Sequence, residues 1–342
     1  MTKRYLVTGG AGFIGCNYVH RLLGRGERVT LYDNLSRRGA EANVDWLRQQ
    51  HGAASFRLIV ADLRDCDTLA QAARDVAVVV HLAGQTAVTT SVTDPRSDFE
   101  DNALGTFNAL EAARRSSTNP IFLYSSTNKV YGGMEEVAAI ERETRYAYRD
   151  FPLGIPETQP LDFHSPYGCS KGAGDQYVRD YARIYGLPTV VLRQSCIYGL
   201  RQMGVEDQGW VAWFIIAALT GQPITIYGNG KQVRDVLFVD DLLDAYDAAI
   251  ARIEIAAGQV YNVGGGPEHT ISVWAEFGPI LERVIGRPIP VSKADWRPGD
   301  QPIYISDIRK ARRDLDWRPT VGIEAGVRRL YDWVVANTSL FT

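Results

Sequence analysis

An α/β fold built on a doubly wound parallel sheet, with a second, smaller and mostly C-terminal substrate domain, is predicted by three features of the 342-residue sequence. Short apolar runs alternate with longer helical stretches through residues 5–193. A turn with glycines three apart follows the first run and opens the first helix. After about residue 197 the alternation breaks, and Gly, Pro and Trp become frequent. Parallel strands need crossover connections, so a β-α-β-α rhythm implies helices on both faces of one sheet.

The elements follow in chain order. Residues 5–8, 28–32, 56–61, 76–82 and 121–125 read as strands, being short, rich in Val, Ile, Leu, Phe and Tyr, and bounded by Gly, Asp, Asn or Ser. Helices near 13–25, 40–51, 66–74 and 98–117 lie between or beside them. Val78, Val79 and Val80 form the unbroken apolar run of a strand covered on both faces. A further helix spans about 167–185, and a strand 189–193. Short strands at 224–227 and 260–263 follow, with helices near 210–220, 239–257, 272–286 and 323–337. The division implied is a sheet domain over 1–196, with return segments at about 236–263, and a discontinuous substrate domain over 197–342. The stretch 134–164, charged and carrying Pro152, Pro156 and Pro160, reads as a long functional excursion between strand and helix.

Composition excludes several classes. Apolar residues are 45%, charged residues 23% and the net charge is -3. This is an ordinary globular composition with no global pull toward nucleic acid or an anionic membrane. The longest wholly apolar run, 210–219, is about half of what a bilayer needs. Met1-Thr2-Lys3-Arg4 opens no signal-peptide core. Cys16, Cys66, Cys169 and Cys196 are scattered, which points to reduced thiols in a cytoplasm, with Cys169 and Cys196 as small buried hydrophobes. His20, His51, His81, His164 and His269 are dispersed, so no metal site is expected, and His81 and His164 read as structural.

The first chemistry-bearing motif is Gly9-Gly10-Ala11-Gly12-Phe13-Ile14-Gly15, a GxxGxxG turn between strand and helix. Gly9 permits the tight turn, Gly12 lets the backbone approach a pyrophosphate, and Gly15 lets helix and strand pack closely. The helix start then offers amide donors and a positive dipole end to phosphate. This is a Rossmann fingerprint. Asp33 lies 18 residues beyond Gly15, placed for the adenosine ribose, and favours NAD over NADP. Arg37 and Arg38 keep the alternative open, since either guanidinium suits a phosphate. Asp62 and the turn Leu82-Ala83-Gly84-Gln85 also fall at carboxyl ends of strands, where ligands of open parallel sheets collect.

Tyr167-Gly168-Cys169-Ser170-Lys171 places a phenol and an ammonium on one helical face. The ammonium is expected to lower the Tyr167 pKa from ~10 toward neutrality, making the phenolate a base for a sugar hydroxyl. Ser125-Ser126-Thr127 ends a strand 40 residues upstream and supplies a hydroxyl to orient the reacting oxygen.

On these motifs the chain resembles an extended short-chain dehydrogenase/reductase of the nucleotide-sugar epimerase/dehydratase family. The likeness runs from Gly9–Gly15, Asp33 and Asp62 through Ser125–Gly132 and Tyr167–Lys171. It continues in Arg234-Asp235, Val239-Asp240-Asp241, Tyr261-Asn262-Val263-Gly264 and Arg297-Pro298-Gly299-Asp300. The resemblance implies Thr127, Tyr167 and Lys171 as catalytic triad and a tightly bound NAD. Its contacts would be Gly9, Gly12, Phe13, Ile14, Gly15, Asp33, Asn34, Arg37, Asp62, Leu63, Leu82, Ala83, Gly84, Ser125, Tyr167, Lys171 and Gln194. Arg234 and Arg297 would hold a nucleotide diphosphate. A homodimer or homotetramer through helices near 98–117 and 167–185 is implied as well.

Sugar 4,6-dehydratases of the family carry an Asp-Glu pair after the catalytic Thr, whereas Asn128-Lys129 stand here. Epimerisation or plain redox chemistry is left. Residues 127–132 and 165–172, with Arg201-Gln202-Met203-Gly204 and Asp207-Gln208-Gly209-Trp210-Val211, are similar to the family's 2-epimerases of CDP-hexoses, of the paratose-to-tyvelose type. Leu200 departs from the Pro common after Tyr-Gly. Gln85, Thr127, Asn128, Gln194, Gln208 and Trp210 are candidate sugar contacts. The run 210–219 packs against the core or carries an oligomer contact. A UDP-hexose 4-epimerase, an oxidoreductase with net cofactor turnover and a non-catalytic NAD-sensing protein are the alternative readings.

Overall fold

The computed structural model describes residues 2–297 and 300–341. Met1, Thr342 and, from the Arg297–Asp300 motif, Pro298 and Gly299 lie outside the described residues. The chain forms two compact units.

The first unit holds residues 1–130, 165–193 and 246–261. Its elements are β1 (Arg4–Thr8), α1 (Phe13–Gly24), β2 (Arg28–Asp33), α2 (Ala40–His51), β3 (Arg57–Val60), α3 (Cys66–Ala73), β4 (Val78–His81), α4 (Gly105–Arg114), β5 (Ile121–Thr127), α5 (Ser165–Tyr185) and β6 (Thr189–Gln194). The return strand β7 (Gln259–Val263) completes a seven-stranded sheet of order β7-β6-β5-β4-β1-β2-β3. β1 pairs in parallel with β2 and β4, β2 with β3, and β4 with β5. β4 is buried along its whole length, as its three valines require of a central strand, while the edge strand β3 is half exposed. Leu6, Val79, Leu110, Phe122, Val178 and Val191 belong to one core between sheet and helices.

The helix anticipated near 98–117 is built differently. Asp94 accepts from the Ser97 N–H at 3.0 Å and Pro95 takes the first turn, so a helix starts at Pro95–Phe99. A wide π-helical turn, Glu100–Leu104, then feeds α4, which ends at Arg114. A further short helix, Val88–Thr93, precedes it. Under α5 lies a buried ion pair: Arg193 on β6 grips Asp175 with two bonds of 2.9 Å, and Ser126 Oγ donates to the same carboxylate at 2.9 Å. Both charged groups are almost completely buried, so each is neutralised by the other rather than by water.

The second unit holds residues 131–164, 194–245 and 262–342. This differs from the anticipated division at 196, since 131–164 and 236–245 cluster here. The expected excursion over 134–164 carries an antiparallel pair, Ala139–Glu141 with Tyr146–Tyr148. Strand Val233–Phe238 is the unit's centre, parallel to Ile303–Tyr304 and Cys196–Tyr198 and antiparallel to Thr270–Ser272. The helix expected from 272 begins instead at Phe277, because Ser272 is paired in that strand and exchanges bonds of 2.9 Å with Glu276. The helix expected over 239–257 breaks into Val239–Ala251 and Ile253–Ala256. The apolar helix Trp210–Thr220 is a core element: Trp210 and Phe214 pack edge-on with each other, and against Phe277 and Trp274 respectively.

Asp175→Asn keeps the side-chain shape but leaves the Arg193 guanidinium buried without its counter-charge. Urea unfolding is expected to show a loss of about 3–5 kcal/mol. A loss under about 1 kcal/mol would mean that water or another carboxylate already compensates Arg193.

Candidate active site

The carboxyl ends of β1, β2, β4 and β5 and the start of α5 gather the first unit's functional side chains. Gly9 sits at φ +67°, and a Cβ there would lie 2.6 Å from the Ala83 N. The turn therefore passes too close to the Leu82–Gly84 segment for any side chain. A Cβ on Gly15 would collide with the Gly9 carbonyl, so this glycine seats α1 against its own turn. Gly12 differs. A Cβ there would meet only the Gly9 oxygen, at 3.2 Å, and is otherwise in open space. Gly12 also starts α1 without a side-chain cap, leaving the first amides available to an anion. This is a cradle shaped for a diphosphate, and the residues present fit NAD.

Asp33 reinforces the fit. Its carboxylate accepts from the Ala11 N–H at 3.0 Å and the Leu35 N–H at 2.8 Å, which fixes it at the end of β2. Burial nevertheless raises its pKa. Asp62 is held by Arg64 at 2.8 Å and by Asn34 at 3.2 Å, and the Arg64 hydrogen bonds keep it well below the usual carboxylate range. Leu63 turns into the core. Phe13, Ile14, Leu82, Ala83 and Gly84 are partly exposed around the glycine turn. Arg37 reaches across from the loop after β2 to Thr86, 2.9 Å away, and its charge is felt at Tyr167.

α5 begins with a cap: the Gly168 N–H donates to Ser165 Oγ at 3.2 Å, and Pro166 follows. That start sets the phase in which Tyr167 and Lys171, each 7% exposed, point under the sheet's end. Thr127, the last residue of β5, is buried like Tyr167, and its hydroxyl acts to lower the Tyr167 pKa. Lys171 Nζ donates to the Ser125 carbonyl at 2.6 Å and lies over the Tyr124 ring, 4.4 Å from its centroid. Thr127, Tyr167 and Lys171 are thus brought together within one unit.

The expectation of a Tyr167 phenol lowered by Lys171 is corrected. Burial pushes Tyr167 up to about 12; the Thr127 hydroxyl and Arg37 oppose this and Asp98 adds to it. Burial pulls Lys171 down to about 8, against Asp175 and Asp98. The ammonium is engaged by the Ser125 carbonyl and the Tyr124 face, so the protein's own groups leave Tyr167 protonated. His81 is buried, bonded to Thr8 and Thr106, and pushed down to about 3 by burial and Lys171, which makes it a neutral structural group.

Other anticipated residues take varied places. Gln85 folds back on Ala87, donating to its carbonyl at 2.6 Å, and Asn128 Oδ1 lies 3.4 Å from Thr127 Oγ1. In the second unit Gln194 is buried, Gln208 closes a small turn with Val205, and the Trp210 indole N–H is buried with no acceptor among the described residues. Arg234 pairs with Asp300 at 2.7 Å. Arg297 pairs with Asp207 at 3.0 Å and stacks 3.9 Å over the Tyr227 ring. Cys169 is exposed and Cys196 half-buried, which corrects the expectation that both are buried. Asp98, buried and bonded to Ser170 Oγ at 2.5 Å, carries no motif of its own in the sequence; Asp94-Pro95, which starts its helix, was the available signal. Among the described residues no cluster of three His, Cys, Asp or Glu could hold a metal, and no helix is long and apolar enough to cross a membrane.

Comparison with known proteins places the chain among characterised enzymes. The family described as GDP-mannose 4,6 dehydratase matches residues 6–330. CDP-paratose 2-epimerase of Salmonella typhi is 43% identical over 337 residues, spanning 96% of this chain and 98% of that protein. The crystal structure of UDP-glucose 4-epimerase from Thermotoga maritima with UDP-glucose has a TM-score of 0.84 at 30% identity, covering 98% of this chain and 99% of that one. UDP-glucose 4-epimerase of Thermus thermophilus in complex with NAD has a TM-score of 0.81 at 33% identity, covering 98% and 99%.

Gly12→Val separates folding from dinucleotide binding. The Cβ lies 3.2 Å from the Gly9 carbonyl oxygen, which has to give slightly, while the added side chain fills the cradle, so thermal unfolding should fall only modestly. The dinucleotide carried through purification should be lost, a weakening of at least about 100-fold, or ~3 kcal/mol. Retained dinucleotide would show that the phosphates bind elsewhere.

Proposed function

We propose a function on the premise that the chain belongs to the GDP-mannose 4,6-dehydratase family, the extended short-chain dehydrogenases/reductases that modify nucleotide sugars. The chain is an NAD-dependent nucleotide-sugar epimerase. Its reaction is inversion at C2 of a CDP-hexose, of the CDP-paratose to CDP-tyvelose type. One observation carries this reading: a buried Tyr167–Thr127 pair stands beside Asn128 and Lys129, where elimination of water would need an acid and a base. The full-length likeness to CDP-paratose 2-epimerase supports the choice of carbon and of base.

Bound NAD supplies the hydride acceptor and a positive nicotinamide ring that favours the Tyr167 phenolate. The glycine turn and the amides of α1 hold the diphosphate, and Asp33 the adenosine ribose. Lys171 would hold the nicotinamide ribose. Thr127 aims the C2 hydroxyl at Tyr167, which takes its proton as C2 becomes a planar ketone. The sugar then presents its other face, and Tyr167 returns the proton as the C2–H bond re-forms there. Arg234 and Arg297 grip the nucleotide diphosphate in exchange for Asp300 and Asp207. A cytoplasmic location fits four free thiols.

The chain acts as a homo-oligomer in this reading. Phe99, Phe107, Tyr177 and Ile184 expose apolar surface on the first unit's helices, and Phe107 packs on Tyr177 with centroids 5.9 Å apart. Tyr177→Glu combined with Ile184→Glu is expected to shift size-exclusion elution to the monomer. Unchanged elution would place the interface elsewhere.

Incubation with CDP-, UDP-, GDP- and dTDP-hexoses, without added cofactor, tests the activity. Inversion confined to C2 of a CDP-hexose is expected, and Tyr167→Phe should lower turnover at least about 1,000-fold. Inversion at C4 of a UDP-hexose, or near wild-type turnover by the variant, would overturn the reading.

A further inference from the structure

Beneath the catalytic turn lies a carboxylate that the reaction above does not use. Asp98 is 1% exposed and closes its short helix against α5. Oδ2 accepts from Ser170 Oγ at 2.5 Å and Oδ1 from Asn102 Nδ2 at 3.0 Å. Ser170 stands between Tyr167 and Lys171 in sequence and is itself buried. Among the described residues Asp98 forms no ion pair, in contrast to Asp175, whose charge is matched by Arg193. Burying an unpaired carboxylate is unfavourable unless a cation faces it. The cation present is Lys171, which is equally buried and, among the described residues, has a neutral carbonyl as its hydrogen-bond acceptor.

We propose that Asp98 is a positioning residue for the epimerisation: through Ser170 it is fixed against the Tyr167–Lys171 turn and serves as the counter-charge of the Lys171 ammonium. The inference rests on the function proposed above for the triad.

The charges facing this group can be named. Lys171, Tyr167 and Asp175 face it or its partner from α5, Tyr124 from β5, His81 from β4, Arg37 from the loop after β2, and Asp101 from its own segment. Asp175, and Asp98 after it, hold Lys171 up against the pull of burial, and Asp98 also raises Tyr167. Burial raises Asp98 itself, while Ser170, Asn102 and Lys171 favour its charged form. Removing the carboxylate charge therefore lowers both Lys171 and Tyr167. The sign is fixed for each: the ammonium is lost at lower pH, and the phenolate forms at lower pH.

The chain has only six lysines, Lys3, Lys129, Lys171, Lys231, Lys293 and Lys310, which makes lysine-selective NMR practical. The enzyme as purified is labelled at lysine Cε, and the Lys171 signal is assigned by its loss in Lys171→Met. In Asp98→Asn its titration midpoint should fall by about one unit from wild type, and both limbs of the kcat profile should move to lower pH. Ser170→Ala keeps the charge but frees the carboxylate, so the midpoint should fall in the same direction by less. It also keeps the test open if Asp98→Asn does not fold. An unmoved midpoint in a folded variant would overturn the proposal, whatever reaction the enzyme performs. A shifted midpoint in an enzyme that inverts no sugar would leave the pairing of Asp98 with Lys171 standing and sink the functional reading instead.

Discussion

The charges around Tyr167 depend on burying the Lys171 ammonium. An ammonium taken from water into a pocket of this kind loses its hydration, and its pKa falls to about 8 as a result. The structure offsets that loss by three means: a 2.6 Å bond to the Ser125 carbonyl, the face of Tyr124, and two carboxylates near the helix. The same dryness raises Tyr167 to about 12. A phenol so placed is a poor base until further positive charge arrives; in the proposed reaction the nicotinamide ring would supply it. On the proposed function, the pocket would tie proton abstraction by Tyr167 to occupancy of the cofactor site.

The second unit holds its charges in a related way. Arg234 and Arg297, expected to hold a diphosphate, are already paired with Asp300 and Asp207. A guanidinium kept on a carboxylate needs little reorganisation to accept a phosphate in its place. Asp235 is buried behind Arg234 and accepts from the Gly266 N–H at 3.1 Å, anchoring the strand that carries the arginine.

Features written in adjacent residues were legible in the sequence. The strand-to-helix glycine turn, Asp33 at a strand end, the i,i+4 spacing of Tyr167 and Lys171, and the apolar run at Val78–Val80 each depend on local spacing. What was not legible depends on contacts across the fold. Asp98 meets Ser170 at a separation of 72 residues, and Asp175 meets Arg193 through the sheet's own geometry. The Tyr167 pKa was misjudged for the same reason: spacing placed the ammonium on the right face but could not reveal that its hydrogen goes to Ser125. The helix near 98–117 was overextended because a wide turn at Glu100–Leu104 carries no sequence punctuation, whereas the Asp94-Pro95 start did.

The central claim is direct redox at one carbon with the cofactor retained. Turnover of a CDP-hexose in deuterium oxide, with no cofactor added, tests it most directly. The account predicts C2 inversion with no deuterium on any sugar carbon, because the hydride never exchanges with solvent. Deuterium at C2 or at its neighbour C3 in the inverted product would show an enolisation route and contradict the account.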